Sequence, residues 1–314
     1  MIRYIGRRLA WSVLVLAFVA VLTFILIYVL PGDPARAVAG IHASAEDVAR
    51  IRAALGLDEP FGVQFARYVG RLATGDLGFS FHRRAEILPL LVERFPATLQ
   101  LALGGLVVGL AIGLPMGVLS AVRRGTSVDR ASTATTAVLV SIPSFWLGYV
   151  ILDVLAFRPL VAWDVAIFPI GGYEPWSLRH LALPALTLGA GLAAYYARLT
   201  RTAMVDQLGS DYVRTARAKG LEGRLVTWRH AFRNAMPTLV TQVGIDIGLL
   251  LGGVVVVEQV FSWPGIGRLA VEAIVQTDLP LILGTVVFAT LMIVVANIVT
   301  DVAVAVLEPR LRRA

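Results

Sequence analysis

Long apolar runs separated by short, arginine-rich breaks dominate this chain. Six stretches, near residues 9–30, 97–122, 132–157, 181–200, 237–260 and 281–307, are apolar over the roughly 20 residues that a helix needs to cross a bilayer. The pattern predicts an all-α integral membrane protein with six transmembrane helices. The fourth stretch is the weakest, with Tyr195, Tyr196 and Arg198 near one end and Pro184 inside it; neighbouring helices can satisfy the backbone groups that a proline frees. In the fifth, Gly244, Gly248, Gly252 and Gly253 favour close approach of another helix, with substrate contact as the alternative.

The longest break on the basic side, Arg201 to Met236, is too polar for hydrocarbon yet tethered at both ends to apolar spans. It is therefore a loop held against the membrane. Within it, Asp211 is expected as an N-cap, Val213 to Lys219 favour helix, and Gly220 is placed to end that helix in a left-handed conformation. Small residues (Thr215, Ala216, Ala218) leave one side slim, and such a helix suits a groove on a partner. A solvated basic loop without a partner is the plainer reading.

Composition agrees with the pattern. Of 314 residues, 57% are hydrophobic, and the mean hydropathy is +0.77, well above a soluble domain. A net charge of +7 would suggest nucleic acid in a soluble protein, but its distribution points to membrane topology and no nucleic-acid partner is expected. If residues 1–8, 123–130, 201–236 and 308–314 lie inside, they hold with Arg198 seventeen of the 28 basic residues and only five of the 21 acidic ones. That is the positive-inside pattern of short loops, and it places both termini and the 201–236 loop in the cytoplasm.

The start of the chain is basic, then apolar, with Ala37-Val38-Ala39 beyond, as in a secretory signal. The apolar run is longer than the 7–15 residues of a signal-peptide core, so a retained anchor is expected, broken by Pro31-Gly32-Asp33-Pro34. The expected organisation is an anchor (1–30), an extracytoplasmic segment (31–96) containing an amphipathic helix at Ala45 to Leu55, a five-span core (97–307) and a tail (308–314).

Four acids, Asp153, Asp246, Glu258 and Asp301, lie in or at the edges of spans. An ionised group at the centre of a membrane helix costs about 2.5–3.5 kcal/mol on insertion scales. Asp246, one turn from Gln242, is the deepest; together with Asn297 it is a candidate lining of a translocation pathway, meeting a cationic cargo group or pairing with a hydroxyl on a neighbouring helix. Glu258 and Asp301 are expected to be interfacial.

The chain has no cysteine, and its only lysine, Lys219, is not part of a Gly-x-x-x-x-Gly-Lys-Ser/Thr loop, so ATP hydrolysis is not expected here. No metal-binding spacing and no catalytic constellation is present; His42, His82, His180 and His230 all fall outside the spans. Inverted halves, the mark of many ion-coupled transporters, are not evident.

The run from Asp211 to Pro237, with Arg214-Thr215-Ala216 four residues before Gly220, resembles the coupling motif of permeases of binding-protein-dependent ABC importers. The family's Glu-Ala-Ala becomes Arg-Thr-Ala, so a carboxylate contact is not carried over. Further matches are Leu55-Gly56-Leu57-Asp58-Glu59-Pro60, Gln64, Tyr68, Gly75-Asp76-Leu77-Gly78, Pro96-Ala97-Thr98-Leu99, Ser141-Ile142-Pro143-Ser144-Phe145-Trp146, Phe168-Pro169-Ile170-Gly171-Gly172-Tyr173, Glu258 through Gly267, and Glu308-Pro309-Arg310, the last with Glu for an expected Asp. They span the chain in the order of the first permease of dipeptide, oligopeptide and nickel importers.

The resemblance implies the type I importer permease fold in a bacterial or archaeal inner membrane. It also implies a second homologous permease, two ABC ATPases that bind ATP and Mg, an external solute-binding protein and surrounding lipid. The chain itself would hold no cofactor. Asp211, Arg214, Thr215, Ala216, Lys219, Gly220 and Leu221 would face the ATPase. Cargo would be di- or oligopeptides, or alternatively nickel chelates, glutathione or oligosaccharides.

Overall fold

The computed structural model describes residues 2–28, 35–36, 43–80, 82–252 and 254–307. The expectations for Pro31 to Pro34, Ala37 to Ala39, His42, Gly253, Glu308 to Arg310 and the tail lie outside them. Helix α1 (Ile2–Tyr28) is followed by α2 (Ala45–Leu55), α3 (Phe61–Ala73) and a hairpin of β1 (Phe79–Ser80) and β2 (Ala85–Glu86), and then by α4 (Ile87–Val122) and α5 (Ser127–Ser141). Helix α6 (Ser144–Leu152) runs through a wide π-type turn, Asp153–Phe157, into α7 (Arg158–Trp163), and α8 (Leu178–Leu208) and α9 (Asp211–Ala218) come next. Helix α10 (Gly223–Leu225) continues through a second π-type turn, Val226–Phe232, into α11 (Arg233–Leu251), before α12 (Val255–Val260), α13 (Ile266–Val275) and α14 (Leu279–Leu307).

Among the described residues, five helical stretches are long and apolar enough to cross a membrane: Gly6–Leu26, Ile87–Val122, Ser144–Trp163, Gly223–Leu251 and Leu279–Val302. The sixth span is α8, whose arginines and histidine lower its hydropathy but which lies packed along α4. Two expected spans are corrected. The third is not one helix over 132–157: it breaks at Ile142-Pro143, because proline has no N–H to give and drives the preceding residue extended, as Ile142 is (φ −78°, ψ 125°). The fifth ends at Leu251, and Glu258 rides on the separate α12. Helix α4 also begins ten residues before the expected start of its span, taking in Glu93, Arg94 and Pro96.

Close approach is set by small residues. A β-carbon at Gly105, Gly109, Gly113 or Gly117 of α4 would collide with Leu188, Leu192, Tyr196 and Thr200 of α8 respectively. Both numbers rise together, so α4 and α8 are parallel, one stripe of glycines holding them at backbone contact. Gly244 and Gly248 of α11, and Gly252 just past its end, meet Thr300, Asn297 and Ile293 of α14, an antiparallel pair, which selects packing over substrate contact for these glycines. Large side chains fill the space between the two pairs, with Leu106, Tyr196, Leu250 and Leu251 in one buried cluster.

The amphipathic helix expected at Ala45 to Leu55 is α2, capped by Ser44, whose Oγ accepts from the Asp47 N–H at 3.1 Å, and closed by Gly56 at φ 64°. Helix α3 lays Phe61, Phe65 and Tyr68 around Phe24 of α1, with ring centroids 5.1, 5.1 and 5.7 Å away. Ser80 of the hairpin donates to Asp278, beside the start of α14, and Arg83 pairs with Glu272 of α13 at 2.5 Å. The segment after the first span is thus fastened to α1 on one side and to the α13–α14 corner on the other.

Candidate functional site

Four polar features occupy different levels of the bundle. At one end, α9 follows α8 after only Gly209 and Ser210. The N-cap position belongs to Ser210 (φ −76°, ψ 156°), with Asp211 one place inside the helix, which corrects the expectation for Asp211. There its charge still complements the helix dipole. The far end behaves as its sequence suggests: Gly220 adopts φ 77°, its N–H donates to Arg217 O at 2.9 Å, and Leu221 N–H donates to Ala216 O at 3.3 Å. This pair of bonds is the Schellman closure.

Val213 and Ala216 are buried under α9 against Val226, so Ala216, expected on the partner-facing side, is turned inward and holds the helix to the bundle. Asp211, Arg214, Thr215, Lys219 and Leu221 are exposed, with Arg214 and Asp211 paired at 3.4 Å. Tyr212 reaches back to Gln207 at 2.7 Å.

Just above α9 lies a clasp that sequence reading does not reveal. Arg201 of α8 donates through Nε and Nη2 to the two carboxylate oxygens of Asp129 on α5, at 2.7 and 2.8 Å. The Ser120 hydroxyl of α4 donates to the same carboxylate at 2.5 Å, and the Gly125 N–H at 2.9 Å. The Arg201 guanidinium first, then the Ser120 and Gly125 donors, hold the Asp129 carboxyl well below the usual carboxylate range, so it stays charged through the neutral range. The pair is separated by 72 residues, so no local pattern announces it.

Midway along the bundle, Asp246 is 9% exposed and both its oxygens are taken. Tyr196 Oη donates to one at 2.6 Å, and Gln242 Nε2 to the other at 2.9 Å. The structure therefore brings Gln242 and Asp246 together and adds Tyr196 from α8. Asn297 is not hydrogen-bonded to that pair; it lies on α14 against Gly248 of α11 and remains exposed. Pairing with a neighbouring hydroxyl, one of the two readings open for Asp246, is what is found.

At the far end, Glu258 is fully buried within the protein. Its carboxylate accepts from Thr98 Oγ1 and from the Arg268 N–H, both at 2.8 Å, while Ile266 N–H donates to Thr98 Oγ1 at 2.9 Å. Glu258 and Thr98 thus satisfy the open N–H groups at the start of α13, where a negative charge meets the positive end of a helix. Gly265 and Gly267 leave the room: a β-carbon on either would stand 2.0 or 3.0 Å from the Glu258 carboxylate. Trp263 donates to Ala97 O at 2.8 Å and meets the Tyr173 ring edge-on at 4.8 Å. The segments at 96–99, 168–173 and 258–267, scattered in sequence, therefore converge on one buried knot. Asp153 and Asp301 instead form ion pairs, with Arg158 at 2.7 Å and Arg8 at 3.0 Å.

Over residues 113–313 the chain matches the family described as binding-protein-dependent transport system inner membrane component, and over residues 1–102 that system's N-terminal membrane component. It is 39% identical to the glutathione transport system permease protein GsiC of Salmonella paratyphi A, with 99% of each chain covered. It is 41% identical to a putative peptide transport system permease protein of Brucella abortus, with 98% of each covered. Among solved structures, an inward-facing MetNI methionine ABC transporter chain superposes with a TM-score of 0.54 at 20% identity, covering 70% of this chain and 96% of that one, a likeness of fold.

Proposed function

Because this chain belongs to the binding-protein-dependent transport system inner membrane component family, we propose that it forms, with a second permease, the membrane pathway of an ATP-driven importer. The observation that carries the reading is α9: a short helix with a built C-terminal closure, seated on Val226 and presenting Asp211, Arg214, Thr215, Lys219 and Leu221. A solvated linker needs neither the closure nor the buried seat. The surface suits docking into a groove of an ABC ATPase, and ATP and Mg belong to that partner.

The first end of α1 and the last of α14 meet through Arg8 and Asp301, and the antiparallel packing of α11 and α14 puts that meeting at the α9 end. The arginine-rich loops gather there too, which supports a cytoplasmic α9 end. The α2–α3 segment and hairpin then lie outside, where a solute-binding protein delivers cargo. Closure of the ATPases pulls on α9 and exchanges inward-open and outward-open states by rigid-body motion. Exposed Val107, Val138, Val161, Leu249 and Val299 suit lipid or the second permease.

One relative is named for glutathione transport and the other as a putative peptide transport permease, and glutathione is itself a small peptide-like molecule joined by amide bonds, so cargo of that class is the reading for this chain. Affinity purification of the tagged chain, expressed with its genomic neighbours, tests the assembly: recovery of a second permease and ATPase subunits is expected. Recovery of the chain alone from a membrane containing them would reject it.

A further inference from the structure

We infer that Asp129 and Arg201 are positioning residues for transport, a strut that makes α4, α5, α8 and the attached α9 one rigid body, so that a pull on α9 moves the spans rather than only its own loop. The inference rests on the importer reading. It starts from a mechanical problem. Helix α9 has eight residues, and its seat is the small cluster of Val213, Ala216 and Val226, so force applied to it must leave through its tethers.

One tether is roughly the last two turns of α8, and Arg201 lies seven residues before the end of that helix. There it is bound by both carboxylate oxygens of Asp129, a fork-to-fork contact that resists rotation as well as separation. Ser120 and Gly125 bind the same carboxylate, so one buried group joins the end of α4, the turn after it, the first turn of α5 and α8. The second tether, through Val226–Phe232 to α11, reaches the same place: Ala231 and Ala235 pack on Val118, Ala121 and Met204.

Away from the strut, α4 and α8 are already fused by their glycine stripe, while α11 and α14 form the other fused pair. The strut completes the first body at the end where force enters. Asp129 is buried and Arg201 half-buried; such a pair kept only for stability is replaceable by apolar groups with little loss, whereas a strut needs the fork itself. Arginine and lysine differ in that respect, since lysine offers a point charge without the planar, two-bond geometry.

The test uses the purified importer complex in proteoliposomes with its binding protein and a cargo. It reads cargo transported per ATP hydrolysed for the unaltered complex, Arg201→Lys and Asp129→Asn. The expected result is assembled complexes that hydrolyse ATP but lose transport per ATP severalfold, with Asp129→Asn the more severe. Unchanged transport per ATP in Arg201→Lys would overturn the inference. The cysteine-free sequence permits a second measurement that needs no change at the strut: spin labels at Arg124→Cys and Asp206→Cys, both exposed. Their separation should be the same in nucleotide-free and ATP-trapped complexes, and a state-dependent change overturns the rigid body even if the strut variants fail to assemble. An unaltered complex that shows no ATP-driven uptake would instead reject the importer reading.

Discussion

Replacing Gly220 with valine isolates the contribution of the α9 closure. Gly220 sits at φ 77° and a β-carbon there would meet nothing within 4 Å, so the substitution creates no collision with the rest of the protein. The whole effect is local: the left-handed conformation costs an L-residue about 1–2 kcal/mol, with a β-branched side chain at the upper end. The closing bonds from Gly220 to Arg217 O and from Leu221 to Ala216 O are maintained only if that conformation is kept. An energy of that size shifts a two-state population about 5–30-fold, enough to leave Leu221 and the exposed turn out of place in much of the ensemble. Asparagine tolerates the left-handed region better than other residues with a β-carbon and is the control. In the reconstituted complex, Gly220→Val should lower cargo uptake and binding-protein-stimulated ATP hydrolysis together, with Gly220→Asn intermediate, while the second permease still co-purifies. Uptake unchanged in Gly220→Val, or equal losses in both variants, would refute the conformational argument.

Other substitutions test separate levels of the bundle. Gly113→Ala places a β-carbon 2.7 Å from Ala193 O and should destabilise by about 1–3 kcal/mol, whereas Gly191→Ala, with nothing within 4 Å, should stabilise by about 0.5–1 kcal/mol; thermal unfolding in detergent distinguishes the signs. Tyr196→Phe removes the donor to one Asp246 oxygen and should cost about 1–3 kcal/mol, with Asp246→Asn also lowering stability. If Asp246→Asn instead raises only the cargo KM and leaves unfolding unchanged, Asp246 serves cargo. Thr98→Val keeps the side-chain shape but strands the Ile266 N–H and a Glu258 oxygen; a loss of about 1–3 kcal/mol is expected in the same unfolding assay.

The spans were legible because apolar length is a coarse signal that survives local irregularity. Its coarseness also explains the misses. Pro143 splits a run that remains apolar on both sides, so hydropathy does not register the break. Glu93, Arg94 and Pro96 look like the end of an outer loop, yet Ile87 and Leu91 bury among Leu269, Leu281 and Phe288 and carry α4 ten residues further. The closure at Gly220 could be read because it depends on one residue and its neighbours, whereas the inward turn of Ala216 depends on Val226, beyond the end of α9. Glu258 reads as an edge-of-membrane acid until Thr98, 160 residues away, supplies its partner. Separations of 72 and 50 residues likewise hide the clasp of Asp129 with Arg201 and Tyr196 as the partner of Asp246.

The most direct measurement of the central claim is uptake by proteoliposomes holding this chain with its second permease and ATPases, with the binding protein and either a labelled peptide or glutathione outside. The account predicts accumulation that requires both ATP and the binding protein and is lost in Gly220→Val. Accumulation that proceeds without ATP under an ion gradient would contradict it.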